Sequence, residues 1–248
     1  MTIRHAIILS AGQGSRLLPV TENRPKCLID FAGKSLLRWQ IEALAANGIT
    51  DIAVVTGFKT EMVEEELGSI PAVSARVLFN PFYHVADNLG SCWIARDEMH
   101  QDFIILNGDT LIAPEIVAAL LSGATAPITV TVDVKDSYDA DDMKVNRSGD
   151  RLVAIGKRLP PEDSNAESIG MLAFRGEGPS LFREQVRAMM RTPDGVRNWY
   201  LKAIDALAPS GVVGTVSIQG MDWAEVDFPA DLEIAGALTS RWAASGGA

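Results

Sequence analysis

Short apolar, β-branched runs alternate along the chain with longer stretches whose apolar residues recur at helical spacing. Residues 5–9, 52–55, 77–79, 103–106, 128–134, 169–174 and 212–217 read as strands. Several are continuous apolar runs without alternation, the pattern of strands covered on both faces. Between them, residues 36–46, 60–67, 114–121, 181–190, 199–207 and 231–242 carry an apolar stripe at helical period. This alternation predicts an α/β fold, a Rossmann-like mixed and mostly parallel sheet flanked by helices. Ligands of such sheets sit beyond the carboxyl ends of the strands, which directs attention to the residues just after each strand.

No internal repeat or low-complexity tract interrupts the pattern. The polar, turn-rich stretches DSYDADD (136–142) and PPEDSN (160–165) read as loops. The expected organisation is one domain over residues 1–242, with 136–180 partly a lobe over the site, and a flexible tail at 243–248.

The 248 residues suffice for one such domain, and 47% apolar with 22% charged residues is the balance of a globular protein, not a disordered one. Cys27 and Cys92 form no disulfide framework or CxxC pattern. The apolar run at the N-terminus is too short for a signal peptide or membrane span. A cytoplasmic location is the expectation. The 22 Lys and Arg against 32 Asp and Glu give a net charge of −10. Such a surface disfavours nucleic acid and anionic membranes, whose binding draws on many Lys and Arg contacts. A small phosphorylated ligand then requires locally concentrated positive charge or a divalent cation.

That concentration is found between Ile7 and Leu28. A strand stops at Ser10-Ala11-Gly12, and Gly14 and Arg16 follow. Small residues let backbone N–H groups approach an anion, and a guanidinium matches phosphate oxygens. Lys26, stiffened by Pro25, supplies a second cation. A dinucleotide fingerprint is excluded because Leu17 stands where a third glycine belongs. A Walker A loop is excluded because Gly14-Ser15-Arg16 lacks its Gly-Lys-Ser/Thr end. Two carboxylates stand at comparable places. Asp109 follows the apolar strand 103–106 through Asn107-Gly108, and Asp227 lies in Trp223-Ala224-Glu225-Val226-Asp227. Alternation puts Glu225 on the face of Asp227, while Asp231 suits the cap of the final helix. His5, His84 and His100 are scattered without the spacing of a zinc site.

The string Gly-x-Gly-x-Arg-Leu-x-Pro-x-Thr-x-x-x-Pro-Lys-Cys-Leu from Gly12 to Leu28, followed by Ala32-Gly33-Lys34-Ser35-Leu36-Leu37, resembles the sugar-nucleotidyltransferase superfamily. The likeness is specific over residues 6–57 and looser to about 235. It implies condensation of a nucleoside triphosphate with a phosphorylated acceptor and release of pyrophosphate. By this resemblance Gly12, Gly14, Arg16 and Lys26 hold the triphosphate, Leu9 and Ala11 line base and ribose, and Asp109 and Asp227 bind Mg²⁺. Residues 80–95 resemble an Asn-Asn-x-x-Ser-x-x-x-Ala element of the phosphocholine and inositol-phosphate cytidylyltransferase branch. Asn88 and Ser91 would then contact the nucleotide, although Asp87 departs from the pattern and Asn88 equally suits a helix cap. Lys144, Lys157 and Glu167 resemble that branch's acceptor-binding residues. Trp199 and Tyr200 form one aromatic pair, short of a cage for a quaternary amine.

The expected activity is thus Mg²⁺-dependent nucleotidyl transfer, with CTP and a small alcohol phosphate such as phosphocholine or an inositol phosphate. The alternatives are a uridylyl-, thymidylyl- or guanylyltransferase acting on a sugar 1-phosphate, and a catalytically silent nucleotide sensor of the same fold. The presence of Arg16, Lys26, Asp109 and Asp227 together speaks against the last.

Overall fold

The computed structural model describes residues 2–246. Its strands are β1 (His5–Ser10), β2 (Asp30–Phe31), β3 (Lys34–Ser35), β4 (Asp51–Thr56), β5 (Ser74–Phe79), β6 (Phe103–Asn107), β7 (Thr110–Ile112), β8 (Ile128–Asp133), β9 (Lys144–Ser148), β10 (Arg151–Ile155), β11 (Ala166–Phe174), β12 (Val213–Ser217) and β13 (Trp223–Glu225). Its helices are α1 (Leu36–Ala45), α2 (Thr60–Gly68), α3 (Asn88–Ile94), α4 (Pro114–Gly123), α5 (Gly178–Met190), α6 (Leu201–Leu207) and α7 (Pro229–Ala244).

Among the described residues, nine strands form one sheet in the order β5-β4-β1-β6-β11-β8-β12-β10-β9. The pairings β5–β4, β4–β1, β1–β6 and β8–β12 are parallel; β11 runs antiparallel to β6, β8 and β9. The sheet is therefore mixed, parallel through its first half. The apolar runs divide by alternation between its two faces. Ile7, Leu9, Val55 and Ile105 pack on one side, while Ala6, Ile8, Val54 and Leu106 pack on the other. Burial on both faces explains why these strands show no polar alternation.

Local signals set the helix ends. Ser35 Oγ accepts from Arg38 N at 3.0 Å to cap α1, and Pro114 opens α4. Asp231 Oδ2 accepts from the backbone N–H groups of Asp227 and Phe228 at 2.8 and 2.7 Å, the cap its spacing suggested.

Four departures from the sequence reading stand out. The β9–β10 hairpin and α3 were not read as elements, α6 starts two residues later than expected, and α7 continues through Ala243 and Ala244. The final two residues of the expected tail lie outside the described residues. The hairpin joins the sheet through β10–β12 and closes on the start of β11 through Ala166↔Val145. Among the described residues no helix is long and apolar enough to cross a membrane.

Candidate active site

The turn after β1 is held open by its own residues. Gly14 has φ of 81°, and a Cβ there would sit 2.8 Å from Lys26 Cβ, so only glycine lets the two segments meet. Thr21 Oγ1 donates to the Gly14 carbonyl at 2.7 Å, and Gln13 Nε2 donates to the Thr21 carbonyl at 3.2 Å. Lys26, at the start of the turn Lys26–Leu28, is thereby pressed against the loop.

Asp109 and Asp227 are remote in sequence and meet for a backbone reason. β7 begins just after Asp109, and β13 ends two residues before Asp227. The two strands pair antiparallel with Glu225 opposite Thr110, and Val226 N donates to the Asp109 carbonyl at 2.9 Å. The Lys26 ammonium bridges the carboxylates, donating to Asp109 Oδ2 at 2.8 Å and Asp227 Oδ1 at 2.7 Å. Arg16 Nη1 donates to Asp227 Oδ2 at 2.7 Å while its guanidinium lies over the Phe228 ring. Burial alone would lower the Lys26 pKa; the charges of Asp109 and Asp227 outweigh it and hold the amine above its ordinary value. Loss of hydration and the charges of the same two carboxylates push the Glu225 carboxyl up to about 8, although the residue is exposed at the surface.

Two cavities meet at this cluster. One, about 180 Å³, is bordered by Leu9, Gly12, Gly14, Lys26, Asn107 and Asp109. The other, about 200 Å³, is bordered by Arg16, Asn107, Asp109, Lys157, Trp199 and Asp227. A wider recess of about 470 Å³ continues from the second past Lys157 and Asp227 to Glu167. A further recess, about 680 Å³, lies elsewhere between α1 and α2. Its Lys34 and Arg38 are already paired with Glu42 and Glu66, and it gathers none of the expected site residues.

The expected residues thus divide. Leu9, Gly12, Gly14, Arg16, Lys26, Asn88, Asp109, Lys157, Glu167 and Asp227 face these spaces. Ala11 is buried and lines neither cavity, its carbonyl accepting from Phe58 N at 3.1 Å. Ser91 is interior on α3, its hydroxyl accepting from Asn80 Nδ2 at 3.3 Å, and lines neither cavity. Lys144 is buried too. Its ammonium donates to the Asp139 carbonyl at 2.6 Å, tying down the loop instead of offering charge to the cleft. Asn88 follows the cap residue Asp87, and its Oδ1 accepts from Tyr200 N at 2.8 Å, so it fastens α6 while bordering both cavities. Sequence reasoning placed Met143 and Ser168–Gly170 within segments resembling acceptor-binding elements but gave no role to these residues, nor to Asn107 or Asp141. Asn107 could have been found as the residue closing β6 directly before Gly108-Asp109. Gly170 could have been found as a lone glycine inside an apolar strand, the mark of a bulge.

Among the described residues no group of three or more His, Cys, Asp or Glu side chains is arranged to hold a metal. Two carboxylates remain, and Asp109 Oδ1 is buried without a hydrogen-bond partner. Hard oxygens in so small a number fit Mg²⁺, which keeps waters and phosphate oxygens as further ligands, and do not fit zinc.

The model for the family described as nucleotidyl transferase matches residues 5–143. The chain is 27% identical to the CTP:phosphoglutamine cytidylyltransferase of Campylobacter jejuni, across 93% of this chain and 98% of that protein. It is 30% identical to the bifunctional IPC transferase and DIPP synthase of Rubrobacter xylanophilus over 97% of this chain, which spans 53% of that longer protein. The inositol-1-phosphate CTP transferase from T. maritima superposes with a TM-score of 0.81 at 21% identity, covering 98% of this chain and 97% of the other. The match runs from β1 through the glycine turn and the Asp109 turn, more than half of the sequence, and the chain belongs to the nucleotidyl transferase family of enzymes.

Proposed function

We propose that this enzyme is a cytidylyltransferase, joining CTP to a small phosphorylated alcohol of the phosphocholine or inositol phosphate kind and releasing pyrophosphate. The observation that carries the reading is the Lys26 ammonium bridging Asp109 and Asp227 where two cavities meet. The choice of CTP is supported by similar proteins that are named for its use. In this reading the Gly12–Gly14 side takes the nucleotide, and the side bounded by Lys157 and Trp199 takes the acceptor. Residues 1–242 act as one catalytic domain, with the 136–180 region covering the acceptor side, and the enzyme works in the cytoplasm.

An acceptor phosphate oxygen attacks the α-phosphorus in line, a new P–O bond forms, and the bond to the β-phosphate oxygen breaks as pyrophosphate leaves. The nucleophile is already ionised near neutral pH, so no residue is needed to remove a proton. What the protein supplies is the alignment of two anions that repel each other and charge to stabilise the transition state. Lys26 and Arg16 exchange their carboxylate partners for the triphosphate, the glycine turn directs N–H groups at it, and Lys157 receives the acceptor phosphate. Asp109 and Asp227 would hold Mg²⁺, which supplies charge neutralisation of the phosphates when bound.

Pyrophosphate release is the test, with CTP, UTP, ATP, GTP and dTTP each offered phosphocholine, aminoethylphosphonate, inositol 1-phosphate and hexose 1-phosphates. CTP with a non-sugar acceptor is the expected optimum; an optimum of UTP with a hexose 1-phosphate would overturn the reading.

A further inference from the structure

Three residues border both cavities: Asn88, Asn107 and Asp109. Two of them are engaged, Asn88 by Tyr200 N and Asp109 by Lys26. Like Asp109 Oδ1, Asn107 Oδ1 is buried and has no hydrogen-bond partner among the described residues, but Asn107 has no ion pair to hold its side chain. A buried polar atom left in that state costs stability unless something satisfies it.

The neighbouring strand is deformed around this side chain. β11 runs antiparallel to β6 with Met171 opposite Leu106, then bulges between Ser168 and Leu172 in its pairing with β8. Within the bulge Gly170 has φ of 77°, and a Cβ there would collide with Asn107 Nδ2. The bulge is pinned on both sides. Gly170 N donates to Ser168 Oγ at 3.3 Å, and Thr110 Oγ1 donates to the Ile169 carbonyl at 2.9 Å. A bulge beside a site re-aims a side chain, and here the side chain given room is a carboxamide carrying one donor and one acceptor end.

The two substrates differ in what they offer. A phosphate presents only lone pairs and needs N–H donors, whereas the sugar of a nucleotide presents hydroxyl protons. Asn107 Nδ2 packs against Gly170, which borders the acceptor-side cavity, and this leaves Oδ1 for the other partner. On the reading proposed above, we infer that Asn107 is a further substrate-contacting residue that touches both substrates. Its Nδ2 donates to an oxygen of the acceptor phosphate and its Oδ1 accepts from a sugar hydroxyl of CTP, so one planar group sets the attacking oxygen against the α-phosphorus. Gly170 is the positioning residue that makes this placement possible.

The test uses the full chain and the acceptor that gives the fastest pyrophosphate release in the panel above. Asn107→Asp keeps the acceptor end and replaces the donor with a charge of the wrong sign. It is expected to raise the acceptor KM about tenfold or more, the scale of one hydrogen bond to a charged group. The CTP Kd, measured by calorimetry without acceptor, should stay within about threefold, the expectation for a hydrogen bond that is kept. Asn107→Leu removes both ends, and should weaken both CTP and acceptor and reduce the preference for CTP over 2′,3′-dideoxy-CTP. Should Asn107→Asp fail to fold, Asn107→Ser, smaller than the native side chain, provides the acceptor KM. For Asn107→Asp, an unchanged acceptor KM, or a loss in CTP affinity as large as the loss for acceptor, would overturn the inference. The two levels separate cleanly: Asp227→Asn with full activity defeats the reading of the site, whereas an inactive Asp227→Asn beside an unaffected Asn107→Asp defeats this inference alone.

Discussion

The walls on either side of Lys26 are built by different means. On the Gly12–Gly14 side the cavity hangs from β1, buried along its whole length, and from β6, buried as far as Asn107. There backbone and small residues define the surface. On the Lys157 side the wall is a two-stranded hairpin and a polar loop, and its charged side chains are engaged with one another. Lys135 pairs with Glu167 at 2.6 Å, Lys144 holds the Asp139 carbonyl, and Lys157 lies over the Trp199 ring within 4.0 Å of Asp141. The contrast teaches where each kind of information resides. On the function proposed above, chemistry common to nucleotidyl transfer would rest on buried core strands, and discrimination between acceptors on elements whose ion pairs can exchange without disturbing the core.

The largest expected effects fall where the two walls meet. Asp227→Ala or Lys26→Ala should each lower the turnover number by on the order of 10²-fold or more, as deletion of a preorganised transition-state contact does. On the Gly12–Gly14 wall, Gly14→Ala forces a left-handed alanine into Lys26. A destabilisation of about 1–2 kcal/mol is expected in denaturant titrations, accompanied by a loss of turnover. On the Lys157 wall, which the proposed function gives to the acceptor, Lys157→Met should raise the acceptor KM several-fold and leave the CTP Kd unchanged. An equal loss for both substrates would erase the distinction between the walls.

A smaller effect concerns Glu167, whose carboxyl is pushed up to about 7 by burial in spite of the Lys135 ammonium beside it. Its pKa is raised on folding, so the stability tied to its protonated form is complete below the usual value of 4.5 and is lost as pH rises through 7. Relative to Glu167→Gln, the wild type should therefore lose thermal stability between pH 5 and 8, by roughly 2–4 °C per kcal/mol of linkage. The smallest effect is reserved for the periphery: Arg241→Ala breaks an exposed pair with Asp222 and should alter stability by no more than about 0.5 kcal/mol.

The buried strands were legible because Ile7, Ile8, Val54, Ile105 and Leu106 have no polar neighbours that would compete for the interior. The glycine turn was legible because its residue types answer a backbone demand at Gly14. The β9–β10 hairpin was not, since KVNRS and RLVAI mix charge with apolar residues on strands near the sheet's end, where one face is wet. Helix α3 escaped notice because NLGSCWI is only seven residues long and contains a glycine. Ser91 and Lys144 show the limit of reading roles from spacing alone: both occupy the expected places in the chain, yet one turn of helix and one loop carbonyl direct their polar atoms away from the cavities. The meeting of Asp109 and Asp227 depends on β7 pairing with β13, a contact between distant segments that no local pattern encodes.

The central claim is that Lys26 and Asp227 work as one unit at the junction of the two cavities. A double-mutant cycle in pyrophosphate release tests it most directly, comparing Lys26→Met, Asp227→Asn and the two combined. Residues acting together predict that the double variant is little worse than the poorer single variant; losses that multiply in full would contradict the claim.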